Sequence, residues 1–239
     1  MIKQKKLSIL SLKTFILFIL TFFLIILYFY FSFFFEINNV SKAYITNQGD
    51  NTVSIIDLET LKTLKTLKVG VAPLGITILQ EKKLVFVGNV GTDDISVIDA
   101  VNDTLIKTIK LGTAPLSIAS NSEETEVYVT DWFQNNVLTI SADEMKVTRR
   151  LKVGVTPSGI AYNKKYKYQV ITNRDANTLE IYNENDDLVK KIETGNHPFG
   201  VYSEGDFAYV ANVYDDSVSI INLVDWSKYE FMVGAHPYN

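Results

Sequence analysis

The chain has 239 residues, no cysteine and a formal net charge of −4. Without cysteine it builds no disulfide framework and carries no thiol-linked lipid. Its mild acidity argues against a nucleic-acid partner, because neutralising phosphates takes a cationic surface.

The first element is an uncharged apolar run, rich in Phe, Ile and Leu, over residues 14–35. At about 1.5 Å per residue, a helix of that length crosses the roughly 30 Å hydrocarbon layer. Lys3, Lys5, Lys6 and Lys13 precede it and Glu36 follows. The positive-inside tendency therefore predicts a cytoplasmic tail (1–13), a single transmembrane signal anchor (14–35) and a short linker (36–42). Everything beyond would lie on the extracytoplasmic side of the cell membrane. A cleaved signal peptide is the rival reading. Its apolar core is usually shorter and ends at small residues, whereas here the flank is Phe33-Phe34-Phe35-Glu36.

From residue 43 to 239 the chain repeats itself. Val69-Gly70-Val71-Ala72-Pro73-Leu74-Gly75-Ile76 returns at Leu111–Ile118, Val153–Ile160 and Thr194–Val201, and opens a fifth time at Val233-Gly234-Ala235-His236-Pro237. All five prolines of the chain sit in these copies. A period of about forty residues marks a stacked array whose units do not fold alone.

Each period holds the same elements in the same order. An apolar run ending in Asn or Asp comes first (Ala43–Asn47, Val85–Asn89, Val127–Asp131, Gln169–Asn173, Ala208–Asn212). Short, β-branched and bounded by turn residues, these are predicted strands. After a polar turn comes a second strand (Val53–Asp57, Ile95–Asp99, Val137–Ser141, Leu179–Asn183, Val218–Asn222). Both strands are apolar on two faces, as expected of a sheet sandwiched between sheets. A third strand mixes apolar residues with lysine and arginine, which protects an outer edge from stray pairing. The stretch after each proline is then the innermost strand, with small residues where strands crowd an axis. Four radially ordered strands per unit make a β-propeller blade, so the fold class is all-β.

The Tyr-Val-Thr-Asn type of strand, the Asn-Thr-Val-Ser-Ile-Ile-Asp strand and the Val-Gly-x-x-Pro-x-Gly-Ile link resemble the YVTN-type β-propeller repeat over about Ala43 to Pro237. The resemblance implies an extracytoplasmic propeller, generally with more blades than this chain supplies. That family includes surface-layer proteins and relatives of the propeller in quinoprotein amine dehydrogenases. Its repeat residues are structural, so no catalytic position carries over.

Four full blades and three N-terminal strands make about five blades lacking one inner strand. A five-bladed ring closes imperfectly, the chain is a shortened form, or partner chains complete the ring. The last two are favoured, and a homo-oligomer is one way to achieve completion.

Candidate binding residues are few. Trp132 and Phe133 interrupt one polar turn, where large aromatics serve as anchors, for example on a sugar ring; the competing reading is that they cap the blade end. His197 and His236, the only histidines, both precede a repeat proline in adjacent blades. Two ligands are too few for zinc, and Ala72, Ala114 and Thr156 hold the same slot, so no metal is expected. Asp93-Asp94, Asp186-Asp187 and Asp215-Asp216 lack a calcium-loop spacing and are expected to stabilise turns. No cofactor motif and no catalytic set can be assembled. The function expected is a membrane-anchored, non-catalytic binding or cell-surface scaffold module whose partner is a protein or cell-envelope polymer. The alternatives are a propeller subunit of a quinoprotein-like redox or hydrolytic enzyme, and a truncated remnant of a longer propeller.

Overall fold

The structure is a computed structural model and describes residues 15, 17–30 and 41–238. These fall in two compact units. The smaller unit contains an α-helix over residues 17–30, residues 41–43 and the turn Asp57–Lys62. In that turn the Asp57 carboxylate accepts the N–H groups of Glu59 and Thr60 at 2.8 and 3.2 Å. The helix is apolar, and its Thr21 hydroxyl satisfies itself on the Leu17 and Phe18 carbonyls at 3.1 and 2.9 Å. Among the described residues no helix is long and apolar enough to cross a membrane. The rest of the span expected over 14–35, the tail 1–13 and nearly all of the linker 36–42 lie outside the described residues.

The larger unit is a series of antiparallel sheets in chain order. Blade 1 has β1 (Lys42–Asn47), β2 (Thr52–Asp57) and β3 (Thr63–Lys68). Blade 2 has β4 (Pro73–Leu79), β5 (Leu84–Asn89), β6 (Asp94–Asp99) and β7 (Thr104–Lys110). Blade 3 has β8 (Pro115–Ser120), β9 (Glu126–Asp131), β10 (Asn136–Ser141) and β11 (Lys146–Lys152). Blade 4 has β12 (Pro157–Asn163), β13 (Tyr168–Asn173), β14 (Thr178–Tyr182) and β15 (Leu188–Glu193). Blade 5 has β16 (Pro198–Glu204), β17 (Phe207–Asn212), β18 (Ser217–Asn222) and β19 (Lys228–Met232).

The strands after each proline, β4, β8, β12 and β16, neighbour one another in succession. They form the inner wall, as their small residues predict. The lysine-bearing β7, β11 and β15 lie at the outer edge, with cations paired onto the blade: Lys110 with Asp94 at 2.7 Å, Lys191 with Glu180 at 3.0 Å. Arg149 bridges Glu126 and Asp186.

The core consists of slabs between consecutive sheets. Val170, Leu179 and Ile181 of blade 4 pack on Ala208, Val210 and Ile221 of blade 5. Phe86, Ile95 and Val97 of blade 2 pack likewise on Val127, Val129 and Ile140 of blade 3. Each fully buried aliphatic contributes roughly 1.5–3 kcal/mol. The strand-ending Asn supplies the polar counterpart. Asn212 Nδ2 donates to Ser217 Oγ and Ser219 Oγ at 3.0 and 2.9 Å, and Asn89 does the same to Asp94 and Ser96. That buried carboxamide staples the hairpin and explains why Asn recurs there.

The end sheets differ from the middle ones. In β18 buried and half-buried positions alternate and β17 is open at Phe207 and Tyr209, whereas β9 and β14 are buried almost throughout. Tyr202, Tyr229 and Phe231 on the outward face of blade 5 are 61%, 58% and 55% exposed. On blade 1, Ile45, which holds the repeat position of buried Val210, is 48% exposed. Among the described residues, blades 1 and 5 therefore leave their end faces open instead of closing on each other.

Candidate binding site at the loop rim

The repeat places three residues at equivalent points, each just after the buried Asp or Asn that ends the second strand of its blade: Trp132, Arg174 and Val213. The links into the inner strands reach the same rim and add His197 and Phe199, and then His236 and Tyr238. Left-handed backbone directs these links. His197 and His236 have φ of 53° and 52°, each followed by a proline, so the chain turns sharply onto the inner wall.

The result is an aromatic cluster spanning blades 3 to 5. The Arg174 guanidinium lies 5.3 Å from the centre of the Trp132 ring. Trp132 meets Phe199 at 6.2 Å, and Phe199 meets Tyr238 edge-on at 5.3 Å and 80°. His197 lies 4.1 Å from the Tyr214 ring, whose other neighbour, His236, is 6.2 Å away. Trp132, Arg174, His197, Phe199, Tyr214 and Tyr238 line a pocket of about 210 Å³, with Val213 as its aliphatic wall. Phe199 and Tyr238 also border a larger cleft of about 490 Å³ along the inner wall, floored by Gly75, Ser117 and Gly159. Glycine there is a matter of space: a Cβ on Gly75 would come within 2.7 Å of the Leu116 carbonyl.

Electrostatics set the character of the pocket. Nε2 of His197 is 3.9 Å from an Asp175 oxygen, while its Nδ1 is buried without a hydrogen-bond partner. Asp175 also accepts the Thr156 hydroxyl at 2.7 Å and lies 3.6 Å from Arg174. Hydrogen bonds from the N–H and carboxamide of Asn196, with His197 nearby, hold the Asp215 carboxyl below the usual carboxylate range. The acidic pairs act in turns and ion pairs. Asp215 bonds Asn196 at 2.7 Å, Asp216 takes the His236 N–H at 2.8 Å, and buried Asp94 holds Lys110. Among the described residues no group of three His, Asp or Glu is placed to hold a metal ion.

Of the residues singled out in the sequence, Trp132 and His197 line the pocket, and His236 joins it through Tyr214. Phe133 is absent from the lining and is 74% exposed. The second tryptophan of the chain, Trp226, not among those candidates, sits apart on blade 5, packed against the blade 4–5 slab with Lys190 near its ring. The sequence reading missed Arg174, Phe199, Tyr214 and Tyr238. Aligning the residue after each strand-ending Asn or Asp would have paired Arg174 with Trp132; the others depend on the angle between blades.

A family model described as a YNCE-like beta-propeller matches residues 32–209. No curated protein matches the chain. Among solved structures it is similar to Kuenenia stuttgartiensis hydrazine synthase, at 18% identity and a TM-score of 0.76, covering 83% of this chain and 66% of that one. It is similar to a catalytically inactive virginiamycin B lyase from Staphylococcus aureus with quinupristin, at 16% identity and a TM-score of 0.73, covering 84% and 71%. A functionally unknown protein from Desulfotomaculum acetoxidans matches at 15% identity and a TM-score of 0.73, covering 82% and 68%. These likenesses concern the fold, and the chain spans about two thirds of the length of each structure.

Proposed function

Since the chain belongs to the YNCE-like beta-propeller family, we propose that it is a non-catalytic binding module, tethered to the cell membrane by its N-terminal segment and displayed outside the cytoplasm. The observation that carries this reading is the rim pocket, where Trp132, Phe199, Tyr214 and Tyr238 converge from separate loops around one guanidinium. Large aromatics with a single charge are the composition of a recognition surface. The tether rests on the apolar run 14–35 and the lysines before it. The partner is a protein or a component of the cell envelope. The open faces of blades 1 and 5 are where a second copy would complete the ring.

One observation favours a second reading, a redox or hydrolytic propeller subunit. His197 lines the pocket with the Asp175 carboxylate 3.9 Å from its Nε2, a His–Asp pairing of the kind that serves acid–base chemistry.

The test uses the full chain in its native membrane. Carbonate extraction and protease shaving report the tether and its side. Co-sedimentation with purified envelope fractions reports binding, and Trp132→Ala is expected to reduce retention at least several-fold. A chain released by carbonate, or one retained equally well without Trp132, contradicts the reading.

A further inference from the structure

The rim pocket has a chemistry narrower than "binding", and we propose that it holds a small aromatic carboxylate, with its ring among Trp132, Phe199 and Tyr214 and its carboxylate at Arg174. The proposal rests on the binding-module reading and names the ligand class for that site.

Size sets the first limit. At about 210 Å³ the pocket is the smaller of the two clefts described and falls below the roughly 300–1,000 Å³ usual for drug-sized ligands. That is the scale of one six-membered ring with a short substituent. The walls set the second. Rings that meet one another at 4.1 to 6.2 Å, tilted and edge-on, offer a flat ring both faces and edges to pack against. A sugar ring of the same size would bring hydroxyl groups all round its rim, and burying those against aromatic walls leaves hydrogen bonds unmade.

Charge sets the third limit. Among the lining residues the one fixed formal charge is the Arg174 guanidinium, with the Asp175 carboxylate outside the lining at 3.6 Å, so the charge in the lining itself favours an anion over a cation. The five N–H donors of the guanidinium form a planar fork matched to a carboxylate. Asp175 engages it only at 3.6 Å, beyond hydrogen-bond reach, and the Trp132 ring centre lies 5.3 Å from it. The fork therefore keeps donors available to a ligand.

The experiment titrates benzoate onto the full chain in detergent, read by saturation-transfer NMR on the ring protons and by calorimetry. Benzyl alcohol serves as the neutral counterpart and methyl glucuronide as an anionic sugar. Saturable benzoate binding is expected, about tenfold or more tighter than benzyl alcohol. Arg174→Gln should remove that preference and leave benzyl alcohol unchanged, Arg174→Lys should restore part of it, and Trp132→Leu should weaken both ligands. Arg150→Gln, an outer-strand cation, should change nothing. Circular dichroism establishes that each variant is folded, and a misfolded Arg174→Gln leaves the decision to the benzoate–benzyl alcohol preference of the unmodified chain. Equal binding of benzoate and benzyl alcohol, no saturation by about 10 mM benzoate, or tighter binding of methyl glucuronide overturns the proposal. If benzoate fails while envelope retention still depends on Trp132, the ligand class falls and the binding-module reading stands; if both fail, both fall.

Discussion

The carboxamide oxygen of Asn177 accepts the backbone N–H of His197 at 2.9 Å, and both residues hold left-handed backbone, with φ of 54° and 53°. The same bond joins Asn51 to Ala72, Asn135 to Thr156 and Asp216 to His236. A hairpin turn thus anchors the residue before each of these prolines. Blade 2 solves the problem differently: Gly112 takes φ of 72°, and its N–H and that of Leu111 reach the Asp93 carbonyl.

Asn177→Ala should therefore be costly at two levels. It loses a hydrogen bond, about 1 kcal/mol, and places a Cβ residue without a local partner in left-handed backbone, about 1–2 kcal/mol more. Asn177→Gly keeps the conformation and loses only the bond. Thermal unfolding should rank Asn above Gly above Ala. Equal melting temperatures for the Gly and Ala variants would show that the backbone strain is unimportant.

Two glycines make a matched test of the crowded inner wall. A Cβ on Gly159 would collide with the Phe199 carbonyl and lie 2.8 Å from Thr172 Oγ1, whereas one on Gly49 meets nothing within 4 Å. Gly159→Ala should destabilise by about 1–3 kcal/mol, the usual effect of overpacking. Gly49→Ala should stay within about 0.5 kcal/mol of the parent. Denaturant melts that give similar midpoints for both would contradict the close approach of β12 and β16.

Alkaline solution should unfold the propeller through its buried tyrosines. Burial first, and then hydrogen bonds to Glu126 and Glu180, push the phenols of Tyr128 and Tyr182 well above the ordinary 10.0. A raised folded value means that the unfolded chain gives up these protons first. The stabilisation is complete below pH 10 and is lost progressively above it, by up to about 1.4 kcal/mol per pH unit for each group. Tyr128→Phe should flatten the decline between pH 10 and 12 in melts followed by circular dichroism. Glu126 keeps Arg149 as a partner in that variant. An unchanged slope would mean Tyr128 reaches solvent.

Adjacent residues of β18 should respond in opposite ways to the same substitution. Ile221 is fully buried against blade 4, so Ile221→Lys should abolish cooperative unfolding, a buried unpaired charge being among the most damaging changes. Ile220 pairs with Tyr209 and Tyr229 on the open face. Ile220→Lys should leave the melting temperature nearly unchanged and reduce self-association in light scattering. A large loss of stability from Ile220→Lys would mean that something covers this face.

The fold was legible because its signals are local and repeated. The prolines, the strand-ending Asn or Asp and the lysine-rich third strand each recur with the blade period, and the observed order of strands within each sheet follows from them. The candidate site was legible only in part. Trp132 and His197 stand out as departures from the repeat. Phe199 and Tyr214 belong to ordinary-looking positions and gain meaning from the rotation between sheets, which brings a link of blade 5 over a turn of blade 3. Phe133 stood out as strongly as Trp132, yet it lies one residue past the column that faces the pocket.

The uncovered face of blade 5 has a consequence for how the propeller comes apart. Every described sheet is built from consecutive strands, so no strand is shared to lock one blade to a distant one. Blade 3 is gripped on one face by a slab of mostly aliphatic side chains and on the other by one that sets Tyr128, Tyr162 and Tyr182 among aliphatics, whereas blade 5 is held by the Val170–Val210 slab alone. Under force or in mild denaturant, the end blades 1 and 5 should peel away before the middle ones, and amide exchange should run faster in them than in β9, β10, β13 and β14. The stability of this molecule is then a gradient along the chain, steepest where one sheet meets water.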